Sequence, residues 1–236
     1  MNPAPYLAIV FAGLAKAMKN SISNTELEEI QDIIKKFAIS AAVAGAVAGV
    51  VPGVASVAAA LAQTGIVWAT YVKINKVLGI SMKENTAKFI GSAIVTNIVL
   101  NAGSLIATYT ASAILSLIPI FGQMTSAAIN GVVGYVIVYV AAIIYLKLIT
   151  KLVKPDGSLN ISETEDTKKI IADIVKESNL KDMIKEGRGA YKQAKADGSI
   201  DAAKKQEVSV CPNCHAEVKP GQNSVWIVEQ NFDKLQ

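Results

Sequence analysis

Two long stretches of this chain carry no charged side chain: 36 residues from Phe37 to Val72, and 58 from Phe89 to Leu146. Around them, apolar positions recur every three or four residues among polar ones, the period of a helix with one buried face. Over residues 5–20, Tyr6, Ile9, Val10, Gly13 and Leu14 share one face of a short predicted helix, with Lys16 and Lys19 near its end. The run "SNTELEEIQDIIKK" opens with a capping box, Ser23 to Glu26, and puts acidic residues in its first turn. Its stripe of Leu27, Ile30, Ile33 and Ile34 leads straight into the uncharged block at Phe37.

Each uncharged block breaks once, at proline. The first breaks at Pro52-Gly53, leaving 15 uncharged residues before it and 19 from Val54 to Val72. At 1.5 Å per residue these make helices of roughly 22 Å and 28 Å. The second of them continues through "KINKVLG", stops at Gly79, and is followed by a second capping box, "SMKE". The second block breaks at "IPIFGQ", with Pro119 and Gly122, and meets charge again at Lys147. A shift of 67 residues places Pro52 on Pro119, Gln63 on Asn130 and Trp68 on Tyr135, a weak internal echo.

The expected fold is all-α. Two proline-broken hydrophobic helical hairpins, membrane-embedded or membrane-inserting, turn at Pro52, Gly53, Pro119 and Gly122. Amphipathic helices and a small irregular C-terminal tail accompany them. The expected divisions are amphipathic N-terminal helices over 1–36, the hairpin membrane domain over 37–154, a charged helical region over 155–207, and a tail over 208–236. A full crossing of a bilayer takes about 20 residues. The limbs of the second hairpin reach that length; Phe37–Val51 alone does not, so the first hairpin reads as re-entrant.

Composition sharpens this picture. The chain has 236 residues, 52% hydrophobic and 18% charged, with a positive mean hydropathy. Its formal charge of +4 is unevenly spread: residues 1–36 balance, 37–154 carry seven lysines against Glu84, and 155–236 are slightly acidic. Basic residues flank the hydrophobic blocks instead of forming a patch on a polar domain, so nucleic acid is not an expected partner. Lys73, Lys76, Lys83, Lys88, Lys147 and Lys151 follow or precede the uncharged stretches and are the candidate membrane-surface residues. By the positive-inside bias they define a cytosolic side on which both termini also lie. Neither hairpin tip holds a charge, so neither incurs the roughly 2.5–3.5 kcal/mol of a charged group at the bilayer centre.

Ala41, Gly45, Gly49 and Gly53 fall on one helical face. Such a small-xxx-small series lets a neighbouring helix approach closely, a contact that counts most in lipid. A homo-oligomer is therefore expected. Asn97, Asn101 and Asn130 lie inside uncharged stretches and read as structural hydrogen-bonding residues.

Candidate chemistry is sparse. "CPNCHAEVKPG" presents Cys211 and Cys214 as half of a tetrahedral zinc knuckle, with no second pair downstream. Either no cofactor is bound, or zinc is shared between subunits through these two cysteines. Carboxylates over 163–186 alternate with lysines at helical spacing, as on a solvated face. No catalytic set is visible, and the expected function is non-enzymatic: a membrane-associated protein that inserts and oligomerises, forming a pore or anchoring partners at the cytosolic face. The alternative is a soluble all-α interaction domain whose hairpins bury each other and whose 163–197 helices bind a protein partner.

The Ala-rich run into Val51-Pro52-Gly53-Val54, then Gln63, then a helix ending in Leu78-Gly79-Ile80-Ser81 carries a resemblance. Over Ala41 to about Thr96 the chain resembles a bacterial hydrophobic domain of unknown function, found at the C-terminal end of some Era-like GTPases and in stand-alone membrane-associated proteins. The resemblance implies helical structure at a bacterial inner membrane and a GTPase as partner. It transfers no catalytic residue. The tail resembles a truncated zinc ribbon of bacterial membrane proteins, and the opening hydrophobic run is similar in composition to the hairpin of colicin-type pore-forming domains.

Overall fold

Charge-free and charged segments alike fold into α-helix. The computed structural model describes residues 5–19, 21–47, 64–115, 126–154, 158–159 and 161–207, and among them eight helices follow in order. They are α1 (Pro5–Ala17), α2 (Asn24–Val47), α3 (Thr64–Val77), α4 (Glu84–Leu115), α5 (Ser126–Leu152), α6 (Glu165–Glu177), α7 (Leu180–Ala196) and α8 (Ser199–Glu207). The protein is all-α. Gly49, Pro52, Gly53, Pro119, Gly122, Cys211 and Cys214, and the tail from 208, lie outside the described residues.

Local chemistry sets the boundaries. At the start of α2, the Ser23 backbone N–H donates to Glu26 Oε2 at 2.7 Å, and the Glu26 N–H donates to Ser23 Oγ at 3.2 Å. This is the predicted capping box, and its hydrogen bonds hold the Glu26 carboxyl below the usual range. Helix α2 then runs through Phe37 without interruption, because nothing between Lys36 and Val47 breaks a helix. At the end of α3, Gly79 takes a left-handed φ of 65°. The Ile80 N–H then reaches Asn75 O at 2.9 Å and the Gly79 N–H reaches Lys76 O at 3.4 Å, a Schellman stop. Thr164 and Asn179 cap α6 and α7 by accepting from the N–H groups of Thr167 and Asp182.

Contacts fix the directions. Ala42 and Gly45 of α2 meet Asn130 and Gly131 of α5, so the two helices are antiparallel, the C-terminal end of one beside the N-terminal end of the other. Tyr71 and Asn75 of α3 meet Ala141 and Tyr145 of α5, so these two run parallel. Gly91 of α4 lies on Val67 and Trp68 of α3. The charge-free ends of α2, α3, α4 and α5 therefore gather at one pole. The lysine-bearing ends of α3, α4 and α5 gather at the other. A shift of 67 residues carries α2 into the range of α4 and α3 into the range of α5; the expected proline breaks lie outside the described residues.

Helix α5 sits at the centre. It is apolar on every side, and such a helix has no face to give to water. It packs most extensively on α2, and also on α1, α3, α4, α6 and α7. One hydrophobic cluster holds Leu7, Val10 and Leu14 of α1, Val132 to Ile149 of α5, and Ile171, Val175, Met183 and Ile184 of α6 and α7. This cluster draws side chains from both sides of 36/37 and 154/155. The amphipathic helices of 163–197 carry a narrow apolar stripe, and they satisfy it on α4 and α5.

Candidate membrane-insertion core

Two helical stretches are long and apolar enough to cross a bilayer, Glu84–Ile106 and Ile129–Leu152. Their surroundings differ. The second is 94% buried inside the protein, the first 39%. Eleven aliphatic side chains of α5, from Val132 to Ile149, are almost wholly removed from solvent. At about 1.5–3 kcal/mol for each buried aliphatic side chain, baring them to water would cost on the order of 15–30 kcal/mol. This is a gross term, set against the conformational entropy of the chain, and it marks α5 as the main source of burial in the core.

The described part of the small-residue face, Ala41 and Gly45, is a contact within the chain. Ala41 and Ala42 are buried. A Cβ placed on Gly45 would stand 2.5 Å from Asn130 O, and one on Gly131 would stand 3.0 Å from Ala42 O. Two glycines on facing helices let the backbones of α2 and α5 touch. Asn130 is itself buried at this crossing. The sequence identifies Gly45 as a close-approach position, and the structure supplies its partner, Asn130-Gly131, which the sequence reading did not pair with it.

Polar side chains tie the core at three levels. Tyr71 and Tyr145 stack with ring centroids 3.9 Å apart. The Tyr71 hydroxyl donates to Ala141 O at 3.1 Å, and the Tyr145 hydroxyl to Asn75 Oδ1 at 2.6 Å. Higher up, Tyr135 meets Tyr191 of α7 edge to face. Between them, Glu186 of α7 accepts three hydrogen bonds: from the Tyr6 N–H at 2.7 Å, the Leu7 N–H at 3.2 Å and the Tyr139 hydroxyl at 2.8 Å. Helix α1 has no acidic residue in its own first turn. Glu186 supplies the missing charge at that helix's positive end. In the sequence it is one carboxylate among many at helical spacing. The signal that sets it apart is its place beside the apolar stripe Met183–Ile184, directly before Gly187, whose missing side chain lets α7 lie on Tyr139.

The lysines fall into two groups. Lys76, Lys83, Lys88 and Lys151 are exposed, and Lys73 is half-buried. Lys88 pairs with Glu84 and lies over the Trp68 ring, 5.0 Å from its centroid. Lys147 departs from the surface set. Its ammonium donates to Ser178 Oγ at 2.7 Å and lies over the Tyr6 ring, so it anchors the α6–α7 junction and α1.

The outer face of α4 is uncharged beyond Lys88 yet polar: Ser92, Thr96, Asn101 and Ser104 are exposed, with Leu100 at 77%. Asn97 and Asn101 turn their amides inward along the helix, donating to Ala93 O at 2.9 Å and Asn97 O at 2.8 Å. Both have the structural role expected of them. Among the described residues, Ile9 and Leu100 are the exposed large hydrophobic side chains, and no three His, Cys, Asp or Glu side chains cluster as metal ligands. No family model, curated protein or solved structure matches this chain.

Proposed function

We propose that the chain is a non-enzymatic helical protein that stores a membrane-competent helix inside a charged helical sheath and delivers it to a bilayer. One observation carries this reading: Ile129–Leu152 is long and apolar enough to cross a membrane, yet is 94% enclosed by its own protein. The charge-free ends of four helices gather at one pole, and the sequence segments 48–63 and 116–125 carry no charge. That pole meets the hydrocarbon first. The exposed lysines at the opposite end stay with water and anionic headgroups. Insertion exchanges protein contacts of α5 for lipid contacts, which are equally apolar. Oligomerisation, pore formation or anchoring of partners at the cytosolic face of a bacterial inner membrane follows from the inserted state. A pair of subunits sharing zinc through Cys211 and Cys214 belongs to that state.

A second reading has its own support. Only Ile9 and Leu100 break an otherwise water-compatible exterior among the described residues, which favours a soluble interaction domain. In that case α6 and α7 present the partner surface, with a GTPase as the partner that the family resemblance implies. Flotation separates the two. The purified full chain is mixed with vesicles of phosphatidylglycerol and phosphatidylcholine, floated on a density gradient and washed in alkaline carbonate. The storage reading predicts carbonate-resistant protein in the vesicle fraction. Protein left wholly in the aqueous fraction at neutral and acid pH rejects it and leaves the soluble domain.

A further inference from the structure

A stored helix needs a catch, and the catch must join the sheath to the core. Glu186 has that geometry. Its Oε2 accepts from the Tyr6 N–H, and its Oε1 accepts from both the Leu7 N–H and the Tyr139 hydroxyl. One side chain therefore joins α7, the first turn of α1 and the middle of α5. Asp197 reaches Lys35 of α2 and Ser199 of α8, and Glu163 reaches Thr86 of α4.

We propose, on the strength of the storage reading above, that Glu186 is an acid-released latch holding α1 and α7 closed over α5. As a carboxylate it is acceptor-only and suits three donors converging on it. Once protonated it carries a donor of its own; the two backbone N–H groups cannot accept it, and the Tyr139 hydroxyl accepts it only by giving up its own donation to the carboxylate. It also loses the negative charge that complements the N-terminal end of α1. Contacts beside the latch do not replace it: Gly187 only rests against the Tyr139 ring, and Tyr135 only meets the Tyr191 ring edge.

Charged and titratable neighbours are known on each element packed there. On α1 there is Tyr6, whose ring lies against Lys147. On α5 there are Tyr139 and Lys147, the latter bonded to Ser178. On α7 there are Asp182, Lys185, Arg188 and Tyr191, and beyond its C-terminal end Asp197 pairs with Lys35 of α2 at 3.2 Å. Hydrogen bonds from Ser199, with Lys35 adding to them, hold the Asp197 carboxyl below the usual range.

Backbone hydrogen exchange at Tyr6 and Leu7, in lipid-free buffer and corrected for intrinsic rates, tests the latch. Between neutral pH and about pH 4, where carboxylates take up protons, protection at these amides in the native chain falls by about tenfold or more. In Glu186→Gln it is low at both pH values. In Tyr139→Phe it is reduced at neutral pH yet keeps its pH dependence, since the carboxylate is still present. Native-like protection with native-like pH dependence in Glu186→Gln overturns the proposal. So does a native chain whose Tyr6 and Leu7 amides ignore acid, and this arm needs no variant to fold. Flotation with phosphatidylglycerol vesicles then separates the two claims. If acid opens the latch and no protein floats, the latch stands and the storage reading falls. If protein floats and Glu186→Gln behaves as native, the latch falls alone.

Discussion

Gly45 and Gly189 are both helical glycines, and their surroundings assign them opposite roles. A methyl group on Gly45 meets the Asn130 carbonyl oxygen at 2.5 Å, which is backbone and cannot swing aside. Gly45→Ala is expected to destabilise by about 1–3 kcal/mol, the usual cost of overpacking. A methyl group on Gly189 meets nothing within 4 Å, so Gly189→Ala is expected to stabilise by about 0.5–1 kcal/mol through helix propensity. Urea denaturation of the two variants checks both signs. The buried tyrosines give a second pair. Tyr145→Phe strips Asn75 Oδ1 of its 2.6 Å donor in a buried site and is expected to cost about 1–3 kcal/mol. Tyr71→Phe removes a donor from a carbonyl within helix α5 and is expected to cost nearer 0.5–1.5 kcal/mol. Denaturant midpoints reversing that order would contradict the account of the two hydroxyls. At this scale the sequence is partly legible. Gly45 stands out because glycine is costly inside a helix; Gly131 and Glu186 do not, because their partners lie far away in the chain, 47 to 180 residues for Glu186.

Helices α4 and α5 are similar in composition and opposite in environment. Ile144 of α5 is fully buried, while Leu100 of α4 is 77% exposed. Ile144→Ala is therefore expected to cost about 2–5 kcal/mol, and Leu100→Ala less than about 0.5 kcal/mol. Comparable losses in thermal unfolding would mean that α5 is not the enclosed helix. Element ends are the most legible feature of this chain, because caps are local: Ser23 with Glu26, and Gly79, act on groups within five residues. The choice of central helix is not legible. Periodicity reports a buried face, and a helix apolar all round has no preferred one. Nor does a charged amphipathic stripe say what it covers, and α6 and α7 pack on both α4 and α5.

At the scale of the molecule, the proposed storage rests on the enclosure of α5, whose apolar stretch is 94% buried inside its own protein. On that proposal its aliphatic side chains lose little when lipid tails replace their neighbours. Storage and delivery would then be one property of the same helix, seen in two solvents. The most direct test is a carbene-generating reagent that partitions into hydrocarbon, photolysed with the full chain and mapped by mass spectrometry. Without vesicles, residues 132–149 are expected to stay unmodified. With phosphatidylglycerol vesicles in acid, they are expected to become the principal labelled segment. Protein that associates with the vesicles while 132–149 stays unlabelled would contradict the account.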